Sequence, residues 1–162
     1  MTFIETCSGK IFNYRNIEPN SISIFDIARV LGRLPRWLGH TKGAYSVAQH
    51  CCWCHDNTKG DPFEALMHDA SEAYVGDCPS PLKKLLPNFI EIENEIQRVI
   101  ADKYGYSYPF SKETHVVDNK ALLYERENIK DNLLIECWDS KKAAKEFLRR
   151  FHEGIEKKYY KK

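Results

Sequence analysis

Hydrophobic residues recur every three or four positions along most of this chain of 162 residues. That spacing is typical of helices that bury one face and leave the other in water. The segment from Ser21 to Arg33 is an example, with Ile24, Ile27, Ala28 and Leu31 on one side of the predicted helix. The pattern therefore predicts an all-α fold for most of the chain.

The first residues and the connecting segments depart from this helical periodicity. Residues 1–15 alternate loosely around a turn at 8–10, which predicts two short extended pieces. Proline and glycine make 34–43 a loop, and several prolines make 77–87 a rigid loop with at most one helical turn. Between these breaks the sequence predicts helices over residues 21–33, 44–57, 61–75, 88–104, 111–130 and 141–159.

The predicted helix over 61–75 carries a group of polar residues on one side. An acid, a proline and a glutamate within 61–64 form a strong helix start. At about 100° per residue, the apolar positions of this helix share one arc and His68, Asp69 and Glu72 lie on the opposite flank. The apolar positions are Phe63, Leu66, Met67, Ala70 and Tyr74. Three candidate ligands or proton carriers therefore lie within about one helical turn.

Two other predicted helices each place one polar side chain among apolar ones. These side chains are His50 in the helix predicted over 44–57 and Asp118 in the helix predicted over 111–130. A carboxylate that faces a core is costly unless it is paired or binds a metal. Each residue alone is more often an ordinary core or capping residue, so the prediction depends on the combination with His68 and Asp69. Nitrogen and carboxylate donors suit Mn²⁺, Co²⁺, Zn²⁺ or Fe²⁺. Together the four predict a metal site shared by three helices, with open positions for water and phosphate.

Charge and composition narrow the class of protein. Lys and Arg total 24 and Asp and Glu total 23, a net charge of +1, so no overall field favours nucleic acid or a membrane. No stretch reaches the roughly 18 apolar residues of a membrane span, and no signal-peptide pattern occurs. These features predict a single cytoplasmic domain over 1–162 with reduced cysteines. The last 22 residues hold nine basic residues against three acids; we interpret them as a solvated helix face, with a nucleic-acid contact as the alternative.

The order His50, His68-Asp69, Asp118 resembles the H…HD…D signature of the HD-domain phosphohydrolases, in which these four residues would be the metal ligands. Flanking segments extend the likeness to bacterial 5′-deoxynucleotidases and, more closely, to short phage-type dATP triphosphohydrolases. Those segments are residues 9–11, 39–41, 45–50, 66–74 and 76–83. The resemblance covers roughly residues 8–128 and implies an HD-domain helical bundle with a short extended N-terminal segment. The C-terminal helices, predicted within 111–162, carry no further motif.

The resemblance also implies roles for residues around the metal. Glu72 would transfer a proton and Asp77 would orient the attacking water. Arg36 and Trp37 would line the phosphate and the sugar, with the indole crowding out a ribose 2′-hydroxyl. Lys83 would hold phosphate oxygens. From the residues alone, the loop proline Pro79 is a further candidate for the substrate site, where it would pack against the base or the sugar.

A nucleotide would then be the small-molecule substrate, with Co²⁺, Mn²⁺ or Zn²⁺ in the site and additional Mg²⁺ on a triphosphate. We expect dATP triphosphohydrolase activity in a homo-oligomer, located in the cytoplasm, or in the host cytoplasm if the protein is encoded by a phage. A 5′-deoxynucleotidase acting on deoxynucleoside monophosphates is one alternative, and a non-catalytic HD-like nucleotide-binding protein is another. Only 17 residues separate His50 from His68, fewer than in the longer bacterial deoxynucleotidases, so the resemblance does not fix the substrate.

The cysteine-rich run before His55 allows other interpretations. It fits the C-x-x-C-H pattern of covalent haem attachment, but that chemistry requires export, which the sequence does not indicate. Cys51 and Cys54 would supply half of a zinc site, although no second C-x-x-C pair follows. The simplest interpretation is that small reduced thiols pack the helix that carries His50.

Overall fold

Most of the described chain, residues 1–159, is helical in the computed structural model. A hairpin of β1 (Phe3–Glu5) and β2 (Ile11–Asn13) comes first, and its strands pair antiparallel. The helices are α1 (Ile24–Leu31), α2 (Val47–Asn57), α3 (Pro62–Met67), α4 (Glu72–Val75), α5 (Ser80–Lys83), α6 (Pro87–Tyr104), α7 (Lys112–Glu125) and α8 (Ser140–Tyr159). The predicted all-α fold is confirmed. The last residues of the predicted domain, 160–162, lie outside the described part.

Side-chain caps decide where the main helices begin. The hydroxyl of Ser46 accepts the N–H of Gln49, the carboxylate of Asp61 accepts the N–H of Phe63, and the hydroxyl of Ser111 caps α7. Such caps satisfy backbone donors that have no partner inside the helix. Because Ser46 is the cap, α2 begins at Val47 and not at residue 44 as predicted.

The segments between the helices contain shorter helical turns. Two 3₁₀ turns cover Pro19–Ser21 and Arg36–Gly39, the second within the loop predicted over 34–43. The helix predicted over 111–130 changes its hydrogen bonding after Glu125, where Arg126–Lys130 form a π-helical turn. The single turn of α5 agrees with the rigid loop predicted over 77–87.

The helix predicted over 61–75 is interrupted, and that prediction was wrong. Residues 68–71 form a turn between α3 and α4. The side chain of Gln97, from α6, enters this break: its amide donates to the carbonyl oxygen of Met67 at 2.9 Å and its carbonyl accepts the N–H of Ser71 at 3.0 Å. The buried amide therefore stabilises the break: it gives the N–H of Ser71 a partner and adds a second bond to the carbonyl of Met67, which also accepts the N–H of Ala70 at 3.0 Å.

Helix α2 packs against α1, α3, α7 and α8. Its residues Val47, Ala48 and Cys51 are fully buried, and so is His50. The N-terminal hairpin packs on α4, because the ring of Phe12 stacks on that of Tyr74 with centroids 4.2 Å apart. These contacts place the polar imidazole of α2 inside a rigid apolar frame.

Helix α8 covers α1, α2 and α3. Its buried side chains are Ala143, Phe147, Arg150 and Phe151, while lysines such as Lys141 and Lys157 are exposed. Between residues 1 and 159, no helix combines the length and the apolar character needed to cross a bilayer.

Candidate metal centre

The four predicted ligands come from α2, from the turn after α3 and from α7, and their donor atoms lie together. From His50 Nε2 the separations are 3.2 Å to His68 Nε2, 3.3 Å to Asp69 Oδ2 and 3.4 Å to Asp118 Oδ1. From His68 Nε2 they are 3.3 Å to Asp69 Oδ2 and 3.7 Å to Asp118 Oδ1. Metal–ligand bonds of about 2.0–2.2 Å place neighbouring donors about 3.0 Å apart at right angles and about 3.5 Å apart in a tetrahedron. The four donors therefore have the spacing of ligands around one ion.

The hydrogen bonds of the two imidazoles direct their other nitrogens into this cluster. His68 Nδ1 lies 2.8 Å from the carbonyl oxygen of Ala65, which only accepts, so Nδ1 carries the proton. His50 Nδ1 donates in the same way to Glu125 Oε1 at 2.6 Å. Both Nε2 atoms then face each other and two carboxylates, so the cluster needs positive charge, which a metal ion or protonation of the imidazoles supplies. Burial lowers the pKa of His68, but the charges of Asp69 and Asp118 outweigh this effect and raise that pKa to about 9.

Two carboxylate oxygens in this region, Asp69 Oδ2 and Glu72 Oε2, are buried without a hydrogen-bond partner. A buried oxygen of this kind costs free energy unless something else compensates its charge. The Asp69 oxygen points at both imidazoles. The donor set and this unpartnered oxygen both fit a divalent cation, so the residues present can hold a metal.

Asp118 corrects one part of the sequence reasoning. We expected its carboxylate to face the core, but 42% of its side chain is exposed. Its neighbour Val117 is buried, whereas Leu122, an apolar residue of the same helix, is exposed. The carboxylate therefore reaches the cluster from the open side of the centre.

Glu72 and Asp77 lie next to the cluster, in α4 and just after it. Burial raises the pKa of Glu72 well above its usual range, and the charges of Asp69 and Asp77 raise it further. Burial also raises the pKa of Asp77, with the nearby Arg36 opposing this. Because of the break, Glu72 does not sit one regular helical turn from His68, but it stays beside the donors.

A cavity of about 160 Å³ opens on the cluster. Its walls include Lys83 of α5, Glu93 of α6 and the aromatic pair Tyr108 and Phe110. Lys83 Nζ forms an ion pair with Glu93 Oε1 at 2.7 Å. Among the described residues, the lining includes the predicted Lys83 but not the predicted Pro79.

Arg36 and Trp37 lie on another side of the cluster and meet Glu125. Trp37 Nε1 donates to Glu125 Oε2 at 2.9 Å, and Arg36 Nη2 lies 3.4 Å from the same oxygen. Arg36 Nη1 is also 3.6 Å from Asp77 Oδ2. Trp37 and Leu38 both have left-handed backbone angles, with φ of 58° and 52°. One buried carboxylate thus connects the predicted substrate loop to the imidazole of His50.

Sequence reasoning missed Glu125 and Gln97. Glu125 is fully buried and lies seven residues, or two helical turns, after Asp118 on the same side of α7. That spacing was a usable signal. Gln97 is a polar residue between the apolar positions Ile96 and Ile100 of α6, and its burial shows that such a misfit can be structural.

Comparisons with known proteins give two relatives. The chain is 44% identical over 130 residues to YfdR of Escherichia coli (strain K12), an alignment that spans 80% of this chain and 73% of YfdR. It is 30% identical over 109 residues to the Rhodobacter capsulatus protein RCAP_rcc00048, spanning 60% of this chain and 56% of that protein. Both relatives are described as uncharacterized. No family model matches the chain.

Proposed function

The chain belongs to the family of Escherichia coli YfdR, and we propose that it is a metal-dependent phosphohydrolase of deoxynucleotides. The observation that carries the proposal is the convergence of four donor atoms, His50 Nε2, His68 Nε2, Asp69 Oδ2 and Asp118 Oδ1. Each distance from an imidazole Nε2 to another of these atoms is 3.2–3.7 Å. A cavity and proton-carrying groups adjoin these donors, which is the arrangement that hydrolysis of a phosphoester needs.

The metal suited to these donors is a borderline divalent ion, Zn²⁺, Co²⁺, Mn²⁺ or Fe²⁺. When bound, such an ion supplies an acidified water molecule and polarises a phosphoryl oxygen. His50 and His68 hold the metal as neutral imidazoles, while Asp69 and Asp118 bring negative charge. The partly exposed side of Asp118 leaves room for substrate.

The chain's own residues then handle protons and position the substrate. Burial and the charges of Asp69 and Asp77 favour the protonated form of Glu72, and from that form it donates a proton to the leaving 5′-oxygen as the P–O5′ bond breaks. Asp77 accepts a hydrogen bond from the attacking water and so aligns it. Lys83 neutralises phosphate oxygens from the cavity wall. Arg36, held by Glu125 and Asp77 on the other side of the cluster, adds positive charge from there. Trp37 crowds the 2′ position of the sugar and disfavours ribonucleotides.

A deoxynucleoside triphosphate and a monophosphate share this bond. If water attacks the α-phosphorus, either substrate releases the nucleoside, together with tripolyphosphate or phosphate. The resemblance to dATP triphosphohydrolases favours the triphosphate, which needs more positive charge than one metal ion supplies.

One observation favours the monophosphate as the second candidate. Among the described residues that line the cavity, Lys83 is the single lysine or arginine, and it is already paired with Glu93. A triphosphate would therefore need additional Mg²⁺, whereas a monophosphate would not.

The proposal is tested on protein stripped with EDTA and reloaded with Co²⁺, Mn²⁺, Zn²⁺ or Mg²⁺. Deoxynucleoside triphosphates and monophosphates, and their ribonucleotide counterparts, are incubated separately, and phosphate, pyrophosphate and tripolyphosphate are quantified. We expect turnover only after reloading, and faster for deoxynucleotides than for ribonucleotides. Asp69→Asn should abolish it, whereas Asp102→Asn, an exposed acid on α6, should not. Absence of hydrolysis with every ion would reject the enzyme.

A non-catalytic nucleotide-binding protein is distinguished by Glu72→Gln. For an enzyme, this variant keeps its affinity for the nucleotide and loses turnover, because the carboxyl donates the proton. If the wild-type protein binds a deoxynucleotide tightly but neither protein hydrolyses it, the binding function replaces the catalytic one.

A further inference from the structure

The thiol of Cys54 lies against the metal cluster, although the proposed reaction does not use it. Cys54 follows His50 by about one turn of α2 and is fully buried. Its Sγ is 3.7 Å from His50 Nε2. The donor atoms of His50, Cys54 and His68 all lie within 4.8 Å of one another.

These separations fit a sulfur ligand. Bonds of about 2.3 Å to sulfur and about 2.0–2.1 Å to imidazole nitrogen, at a tetrahedral angle, separate the two donors by about 3.6 Å. The observed 3.7 Å between Sγ and His50 Nε2 matches this value, and the Nε2 atoms of His50 and His68 are 3.2 Å apart. The thiol therefore occupies a position from which it can bind the same ion without moving the helix.

A second observation favours sulfur as a donor at this point. Asp118 leaves 42% of its side chain exposed, whereas Cys54 is fully buried. The unpartnered Asp69 Oδ2 lies 3.3 Å from both imidazole nitrogens, so a cation held by these donors would bind His50 Nε2, the atom that the sulfur contacts. The enclosed part of the site thus offers two nitrogens, one oxygen and one sulfur.

We propose that Cys54 is a sulfur ligand of the metal, which rests on the function proposed above. The centre then prefers Zn²⁺ or Co²⁺ to Mn²⁺ or Mg²⁺. Binding takes the proton from Sγ–H and releases it to solvent as the metal–sulfur bond forms. Soft thiolate selects zinc-like ions, whereas an all-nitrogen and oxygen site does not discriminate so strongly against manganese.

The test is the absorption spectrum of the stripped full-length protein titrated with Co²⁺. A sulfur ligand gives an intense sulfur-to-cobalt charge-transfer band in the near ultraviolet, which nitrogen and oxygen donors lack. We expect this band in the wild-type protein and its loss in Cys54→Ser. Cys54→Ser should also weaken Zn²⁺ binding at least about tenfold while changing Mn²⁺ binding little.

Two other thiols of α2 are the controls. Cys52→Ser should keep the band, because Cys52 lies near the charges of Arg150 and Asp56 instead. Cys51 has its sulfur within 4.8 Å of donors of His68 and Asp69, so Cys51→Ser decides between the two neighbouring thiols. Loss of the band in Cys51→Ser with retention in Cys54→Ser would overturn the assignment.

If Cys54→Ser does not fold, the spectrum of the Co²⁺-loaded wild-type protein still tests the sulfur ligand. Co²⁺-loaded protein that hydrolyses deoxynucleotides without a sulfur band would overturn the thiolate ligand and leave the proposed function intact. Protein that shows the band but hydrolyses none of the substrates would support the ligand and reject the enzyme. Failure to bind Co²⁺ at all would overturn both.

Discussion

Glu125 is the residue on which several parts of the centre depend. One oxygen accepts from His50 Nδ1 at 2.6 Å and the other accepts from Trp37 Nε1 at 2.9 Å. The first bond fixes the tautomer of the imidazole, so that its Nε2 lone pair faces the cluster. The second fixes the direction of the indole. A change at this carboxylate should therefore affect both metal binding and the choice of sugar.

We expect Glu125→Gln to lower metal affinity about 10- to 100-fold, as changes to partners of metal-bound imidazoles typically do. The amide can present an N–H to His50 and so stabilise the wrong tautomer. Isothermal titration of stripped protein with Zn²⁺ measures the effect. Glu64→Gln is a matched control, since Glu64 is also buried but is bonded to Ser111 and Thr114. Unchanged Zn²⁺ affinity in Glu125→Gln would contradict this role.

At the scale of elements, the break between α3 and α4 positions His68 and Asp69. A continuous helix would point these residues in directions set by about 100° per residue. The turn at 68–71 instead brings one donor of each to the cluster. Gln97 of α6 bonds to both ends of the turn, so a helix that contributes none of the four proposed ligands helps to set their geometry.

Gln97→Met should lower the free energy of unfolding by about 2 kcal/mol, because the N–H of Ser71 loses its partner and the carbonyl of Met67 keeps only its bond from the N–H of Ala70. Zn²⁺ affinity should fall with it, since the turn can then rearrange. Urea denaturation and metal titration measure the two effects. Tyr106→Phe removes only the bond from Gln97 to the tyrosine hydroxyl and should do less. A variant that loses stability but binds Zn²⁺ normally would show that the turn holds its shape without Gln97.

At the scale of the whole molecule, helix α8 packs against α1, α2 and α3. A bidentate ion pair also joins it to α2. Arg150 Nε and Nη2 donate to the two carboxylate oxygens of Asp56 at 2.9 and 2.6 Å. Burial alone would raise the pKa of Asp56, but the hydrogen bonds from Arg150 and His55 outweigh it and lower this pKa below its usual range. The pair thus links the helix that carries His50 to the C-terminal helix.

Asp56→Asn should lower the free energy of unfolding near pH 7 by about 1 kcal/mol, because Asp56 is partly exposed and solvent screens the pair. A carboxyl whose pKa is lowered by folding stabilises the protein above its unfolded pKa of about 3.9 and loses that contribution as the pH falls further. The difference between variant and wild type should therefore shrink below about pH 4. Urea denaturation of the wild type and of Asp56→Asn, near pH 7 and below about pH 4, measures this difference. Glu153→Gln, at an exposed pair with Arg149, should have a smaller effect, and a difference independent of pH would exclude the ion pair as its cause.

Sequence periodicity was enough to predict the helical fold, since apolar positions such as Ile27 and Phe63 are buried as expected. It also singled out His50 and Asp118, whose donors the structure brings near His68. It did not predict the break after Met67, because that depends on a side chain 30 residues away. Long-range partners of this kind leave no local periodic signal.

The burial of α7 shows a second limit of periodicity. Leu122 and Leu123 are apolar and yet exposed, because no described element covers that side of the helix. The depth of Asp118 could not be predicted for the same reason. Likewise, no glycine in the sequence marks the left-handed backbone at Trp37 and Leu38.

That left-handed pair stores free energy, since a side chain in this conformation costs on the order of 1 kcal/mol. Leu38 is mostly exposed and has little packing to lose. Leu38→Gly, a type of change that usually weakens a protein, should therefore raise the melting temperature by a few degrees, about 2–4 °C for a chain of this size. A lower melting temperature would rule out stored strain. Under the proposed function, the same relief would free the indole of Trp37 to turn. The more stable protein should then hydrolyse ribonucleotides more readily than the wild type, and substrate discrimination would have been exchanged for robustness.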